Sequence, residues 1–273
     1  MVGHPVSHSR SPAMQNAALE ALGLGGEWSY EAIDVTPEQF PDRVAELPGE
    51  DFVGVNVTIP HKEAALAVAD QASEAASEIG AANTLSFDGG VIHAENTDAT
   101  GLISALPRPV EGLNALVLGA GGSARAAVWA LAGQAASVSV WNRTPERADE
   151  LVRDLSGADA GTPAEGRLAP VSGEQVRAGA YEVIVNCTAV GMEDEDPFEL
   201  LPLEASRFGA GILLVDLVYS GSESRLVGAA REAGATVIDG LEVLVQQGGE
   251  SLRIWTGMDP PLEVMRQAAR GGS

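Results

Sequence analysis

Residues 114–133 read NALVLGAGGSARAAVWALAG, and this stretch narrows the choice of fold more than any other. Strand-forming apolar residues run into a glycine turn, and an alanine-rich helix leaves it. The strand ASVSVWN and the helix PERADELVRDL follow, so the chain repeats strand, turn and helix. A strand that returns parallel to its predecessor needs a crossover helix of this kind, which predicts an α/β fold with a parallel sheet. Further strands are expected at YEVIVNC (181–187), ILLVDLVY (212–219) and ATVID (235–239), with helices at ESRLVGAAREAG, LEVLVQQGGESLRIW and PLEVMRQAAR.

The N-terminal part has a different rhythm. Ser11 with Pro12 and Thr36 with Pro37 look like helix starts, a hydroxyl to cap free amides followed by proline. AMQNAALEAL and EQFPDRVAEL supply the helices, with Pro41 bending or shortening the second. WSYEAIDV (28–35) and FVGVNVT (52–58) read as strands, and residues 83–96 as two strands joined by a tight glycine turn. Residues 157–167 are expected to form a mobile loop and 193–199 an acidic one. At 273 residues the chain suits two domains.

The formal charge is −23, with 39 acidic residues. Nucleic acid and anionic membranes both require a basic footprint, so neither is an expected partner. Acid-rich, lysine-poor composition resembles that of proteins from organisms that keep concentrated salt in the cytosol, where screening relieves self-repulsion. No apolar run approaches a bilayer-spanning length, and MVGHPVSHSRSP lacks the basic and apolar regions of an export signal, so the expected location is cytoplasmic. Cys187 is the sole cysteine, and Pro5 spoils the helical face that His4 and His8 would need to share a metal. His61 and His93 are read as loop or strand residues, and no metal site is expected.

Gly119, Gly121 and Ala124 fit G-x-G-x-x-[GA] between a predicted strand and a predicted helix, with Ala120, Gly122 and Ser123 completing the turn. Such turns cradle pyrophosphate on backbone amides at a helix N-terminus. The glycines alone are also compatible with a plain tight turn. About 20 residues on, NAD enzymes place an acidic residue on the ribose hydroxyls. Here NRTPER puts Arg143 and Arg147 where a 2′-phosphate would lie, with Asn142 and Thr144 as neutral donors. This predicts NADP(H) over NAD(H). The competing reading, pairing of these arginines with Glu146 or Glu150 on a helix surface, would contribute only ~0.3–0.5 kcal/mol a pair.

Of the 16 basic residues only Lys62 is lysine, and it closes the stretch NVTIPHK. That stretch, with GHPVSHSRSP, AANT, NTDATG, GAGGSARA, NRTPER, NCTAVGM, DLVY and GLEVLVQQG, resembles the shikimate dehydrogenase family over nearly the full length. The family reduces 3-dehydroshikimate to shikimate with NADPH, a step in aromatic amino acid biosynthesis. The resemblance implies that activity here, with Lys62 and Asp98 as the acid/base pair. The chemistry of the residues agrees, because hydride delivery to a ketone leaves charge on its oxygen that a positioned proton donor neutralises. Arginine cannot release a proton at ordinary pH, which accounts for the one lysine that survives.

The resemblance further implies that Ser9, Ser11, Asn56, Thr58, Asn83, Tyr219 and Gln247 join Lys62 and Asp98 in holding the hydroxyls and carboxylate of the substrate. It places Thr188, Val190, Gly191, Met192, Leu217, Gly240 and Glu74 near the cofactor. Ser11 has the rival role of helix cap, and Glu74 that of a solvated helix residue. The expected layout is an α/β substrate domain over 1–105, a Rossmann-type doubly wound nucleotide domain over 106–236, and C-terminal helices over 237–273 returning to the first, with the site in a hinged cleft. A homodimer follows from family habit. Relatives carry more of a first strand before Gly3, a methionine where Val243 stands and a histidine where Gln246 stands. The first strand is therefore expected to be incomplete and the apolar wall by the nicotinamide slightly altered. A quinate/shikimate dehydrogenase, or a non-catalytic NADP-dependent sensor on the same scaffold, would share these motifs.

Overall fold

A computed structural model describes residues 1–157, 167–219 and 223–271, which form two compact units, Met1–Ser104 with Leu244–Ser273, and Ala105–Val243. The expected loop at 157–167 falls almost wholly outside the described residues. The chain has an α/β fold.

The first unit opens with β1 (Val2–Gly3), α1 (Ser11–Ala21), β2 (Ile33–Asp34), α2 (Phe40–Glu46) and β3 (Gly54–Asn56). It continues through α3 (Lys62–Ala67), β4 (Gln71–Ala72), α4 (Glu74–Ile79), β5 (Thr84–Asp88), β6 (Val91–Glu95) and α5 (Thr97–Ala105). The strands β3-β5-β6-β4 form one sheet, while β1 and β2 pair in parallel. Gly89 and Gly90 turn the β5–β6 hairpin with φ of 58° and 85°, a conformation that favours glycine. Val2, Val35, Phe40, Val44, Leu47, Val55 and Leu85 form the core beneath these elements.

Several expectations change here. The strand expected over 28–35 shrinks to Ile33–Asp34, because the Asn16 side chain bonds both the amide and the carbonyl of Tyr30 and replaces ladder bonds there. Ser11 is the first helical residue and Arg10 the cap, with Pro12 beside it, so the Ser11 hydroxyl does not cap α1. Thr36 makes a turn to Gln39 ahead of α2, which starts only at Phe40 with Pro41 in its first turn, where proline loses no helical bond.

The second unit contains β7 (Asn114–Leu118), α6 (Gly122–Ala132), β8 (Ser137–Trp141), α7 (Pro145–Leu155), β9 (Leu168–Pro170), α8 (Gly173–Ala178) and β10 (Val183–Asn186). There follow α9 (Pro197–Leu200), β11 (Leu213–Asp216), α10 (Arg225–Glu232), β12 (Thr236–Asp239) and the start of α11 (Gly240–Thr256); α12 (Leu262–Gly271) lies in the first unit. The sheet order is β12-β11-β10-β7-β8-β9, every neighbour parallel. Chain progression runs outward in both directions from the β7–β10 pair, the doubly wound order whose switch point opens a crevice at the carboxyl ends of the strands. β12 pairs with β11, so this unit extends to Val243, beyond the residue 236 expected from the sequence. Within the acidic stretch expected as a loop at 193–199, Asp196 caps the short α9 by accepting from the Phe198 amide. No helix among the described residues is long and apolar enough to cross a membrane.

One close helix contact bears on the site. A Cβ on Gly101 of α5 would lie 2.7 Å from the backbone nitrogen of Gln247 in α11, a clash that no side-chain rotation relieves. Gly101→Ala is therefore expected to lower the unfolding free energy by about 1–3 kcal/mol, as overpacking does. Urea denaturation followed by circular dichroism measures it, and an unchanged midpoint would show that the two helices have room to part.

Candidate active site

Lys62 opens α3, directly after a turn in which the His61 amide donates to the Thr58 carbonyl. His61 is buried, stacks on Phe40 at 4.4 Å and bonds the Val35 carbonyl through Nε2, which seats the start of the helix. From there the Lys62 Nζ donates to Asp98 Oδ2 at 2.5 Å. Asp98 comes from the first turn of α5. Its Oδ1 accepts from Asn83 Nδ2 at 2.9 Å, so both carboxylate oxygens have donors. The side chains of Lys62 and Asp98 are 10% and 16% exposed, enough for a small molecule to reach the pair and too little for bulk water to screen it.

Asn83 links this pair to the rest of the unit. Its Nδ2 also faces Thr97 Oγ1 at 2.9 Å and Gln247 Oε1 at 3.1 Å, and its Oδ1 accepts from the Thr97 amide at 2.7 Å. Asn56 lies deeper. Its Oδ1 accepts from the Tyr30 hydroxyl at 2.7 Å, while Nδ2 faces the Asn83 carbonyl, Thr84 Oγ1 and Ser251 Oγ. The Asn56 amide is thus engaged inside the protein. The segment carrying Ser9 and Ser11 leaves β1 beside Thr58, since the Thr58 amide donates to the Val2 carbonyl and the His4 amide to that of Ile59. Ser9 Oγ accepts from the Ser11 amide, Ser11 is buried and Thr58 is half-buried. Glu74 is exposed in the first turn of α4.

Tyr30, Thr84, Thr97 and Ser251 were missed as supporting residues. A signal did exist for Ser251, which follows Gln247 by four residues and so shares its helix face.

In the second unit the glycine turn has two distinct physical demands. Gly119 follows β7 with φ 110°, and a Cβ there would meet the Cys187 carbonyl group at 3.1 Å, so the fold itself requires glycine. Gly121, the residue before α6, has φ −94° and ψ −174°, which any residue adopts, and a Cβ there would meet nothing within 4 Å. A side chain would only fill the open space over the first amides of α6. Gly121 has no side chain with which to cap them, and the first turn, with Gly122, Ser123 and Ala124, carries no acidic residue. Ala120 is half-buried in the turn. That cradle fits a pyrophosphate.

Beyond β8, Arg143 and Arg147 are exposed, and neither guanidinium is in an ion pair or hydrogen bond among the described residues, so the pairing with Glu146 or Glu150 is absent. Asn142 Nδ2 donates to the Thr144 carbonyl, shaping the turn, and Thr144 precedes α7. After β10, Thr188 and Val190 are tied to Asn186, Gly191 has φ 104° and Met192 is 60% exposed. A Cβ on Gly240 would lie 2.6 Å from the Leu217 carbonyl, so glycine lets α11 begin against the stretch after β11. Tyr219 ends that stretch, half-buried.

Family comparison matches residues 1–85 to the "Shikimate dehydrogenase substrate binding domain", 104–189 to "Shikimate / quinate 5-dehydrogenase" and 240–270 to the "Shikimate 5'-dehydrogenase C-terminal domain". The Shikimate dehydrogenase (NADP(+)) of Methanothermobacter thermautotrophicus is 40% identical over 276 residues, covering 99% of this chain and 94% of that protein. The chain belongs to the shikimate dehydrogenase family. A family enzyme of Thermus thermophilus is 43% identical, over 99% of this chain and 96% of its own. A crystal structure of Shikimate 5-Dehydrogenase from another strain of Thermus thermophilus, in complex with NADP(H) and shikimate, superposes with a TM-score of 0.84 at 42% identity, covering 99% of this chain and 97% of that one.

Proposed function

We propose that this chain catalyses the reversible NADPH-dependent reduction of 3-dehydroshikimate to shikimate. The observation that carries the reading is the Lys62 ammonium held 2.5 Å from Asp98 by side chains that leave both groups reachable. The first unit supplies the proton chemistry and the substrate contacts, from Ser9, Ser11, Thr58, Lys62, Asn83, Asp98 and Gln247; Tyr219 adds a hydroxyl. Asn56 belongs to the same set, its amide, like that of Asn83, hydrogen-bonded within the unit. The second unit holds NADP(H), with the amides after Gly121 toward the pyrophosphate and Arg143 and Arg147 toward the 2′-phosphate, flanked by Asn142 and Thr144. The residues Thr188, Val190, Gly191, Met192, Leu217 and Gly240 face the rest of the cofactor, and Glu74 is a further candidate contact.

NADPH supplies the hydride when bound. As the carbonyl carbon is reduced, Lys62 gives its proton to the oxygen, so the product leaves as a neutral alcohol. Asp98 fixes the ammonium and, with Asn83 on its other oxygen, keeps it from swinging toward solvent. In the reverse direction the neutral amine takes the alcohol proton. A cytosolic setting and a homodimer belong to the same reading by family habit.

Lys62→Met should fold and lose activity by about 10²- to 10⁴-fold. The test is the NADPH absorbance band with 3-dehydroshikimate in one direction and shikimate or quinate in the other, in high salt. Parental turnover by the folded variant would sink the acid/base assignment. A shikimate-dependent rise in the parent would remove the sensor alternative, and a quinate rate as high would move the assignment to quinate/shikimate dehydrogenase.

Arg143→Ala combined with Arg147→Ala should weaken NADPH binding by about 100-fold or more and NADH binding by less than about threefold, since each lost arginine removes charge-assisted bonds only the 2′-phosphate can accept. Fluorescence titration with each dinucleotide decides it; equal losses rule out the role.

The charge of −23 supports a further reading, adaptation to concentrated salt. Melting temperature is expected to rise from dilute buffer to molar KCl, each kcal/mol of relieved repulsion raising it by about 2–4 °C in domains of this size. A melting temperature indifferent to salt would refute it.

A further inference from the structure

The second unit buries a carboxylate that the proposed reaction does not use. Asp216 ends β11 opposite Asn186 at the end of β10, and both are 0% exposed. Asp216 Oδ1 accepts from Asn186 Nδ2 at 2.9 Å and from the Val218 amide at 3.2 Å. Its Oδ2 accepts from Ser224 Oγ at 2.8 Å. Ser224 in turn accepts from the Val227 amide and caps α10. All three partners donate, the pattern an ionised carboxylate requires, and among the described residues no cationic side chain pairs with it. Burial pushes the carboxyl up, and the bonds from Ser224, Val218 and Asn186 pull it back.

An uncompensated buried charge is a poor way to fill space, because apolar side chains of equal volume would pack there at lower cost. What it does supply is a fixed point. Asn186, held by Asp216, accepts from both the amide and the hydroxyl of Thr188 and donates to the Val190 carbonyl. Val218, held by the same oxygen, lies between Leu217 and Tyr219. One carboxylate therefore ties the turn after β10 to the stretch after β11, at the sheet end where open α/β folds bind their ligands.

We propose that Asp216 is a positioning residue for cofactor binding: it locks Thr188–Met192 and Leu217–Tyr219 into one frame, so that both stretches meet NADP(H) together. The proposal rests on the functional reading above. Asp216→Leu removes both acceptor oxygens and keeps the branching with bulkier methyl groups, whereas the near-isosteric Asp216→Asn keeps one oxygen for Asn186 and Val218. Fluorescence titration is expected to show NADPH Kd raised about fiftyfold in the leucine variant and about fivefold in the asparagine variant. The KM for NADPH should rise with Kd, and kcat at saturating cofactor should fall by a smaller factor.

A purely structural role would instead lower melting temperature and the fraction of binding-competent protein, leaving Kd unchanged. An unchanged Kd in either folded variant overturns the proposal. If the leucine variant does not fold, the asparagine variant decides alone, with the fivefold rise supporting and the parental Kd overturning. Titration of the parent separates the two levels of inference, because a parent that does not bind NADPH overturns the functional reading and this proposal with it.

Discussion

A lysine ammonium and an aspartate carboxylate in contact, Lys62 against Asp98, set the terms for the first unit. Two charges held mostly out of water are costly unless each is paired and its remaining hydrogen-bonding capacity is met. The protein meets it through Asn83, whose amide serves Asp98, Thr97 and Gln247 at once. That amide must itself be aimed, which draws in Thr84, Thr97, Ser251 and, through Asn56, Tyr30. The polar core is thus a consequence of one ion pair. In such a network each partner loses its acceptor or donor if any neighbour turns, so the whole set has a single low-energy arrangement.

The second unit presents a different problem, because an anion can be met by backbone amides only where no side chain blocks the approach. Gly119 provides the close approach of β7 to the segment after β10, and Gly121 leaves the space above α6 open. Other helices, here and in the first unit, begin with a serine or aspartate that accepts from its own backbone, at Ser73, Ser172, Asp196 and Ser224. The start of α6 has glycine in that place and no acidic residue in its first turn. The carboxyl ends of β10 and β11 meet through Asn186 and Asp216, which extends the order of the sheet into the segments beyond it.

Long apolar runs were legible as strands because they pair on both sides within the parallel sheet, as in NALVL and YEVIVNC. Short elements were not. The helices at Lys62–Ala67, Glu74–Ile79 and Gly173–Ala178 carry too few residues for a period to emerge, and Gln71–Ala72 and Leu168–Pro170 are strands only because a neighbour offers a ladder. Ser11 shows the limit of cap signals, since the local pattern suits a cap while the chain enters α1 one residue earlier.

From sequence alone came the α/β alternation, the glycine turn with its two arginines, and the one lysine in a motif that called for a transferable proton. These are local facts, carried by residue type and spacing along the chain. Tertiary structure decided which oxygen of Asp98 meets Lys62, that the amide of Asn56 is already engaged, that Arg143 and Arg147 stand without partners among the described residues, and that Asp216 is buried beside Asn186. Those depend on groups brought together across many residues, up to 195 positions apart for Asn56 and Ser251, and no local pattern encodes the distance or direction at which such side chains meet.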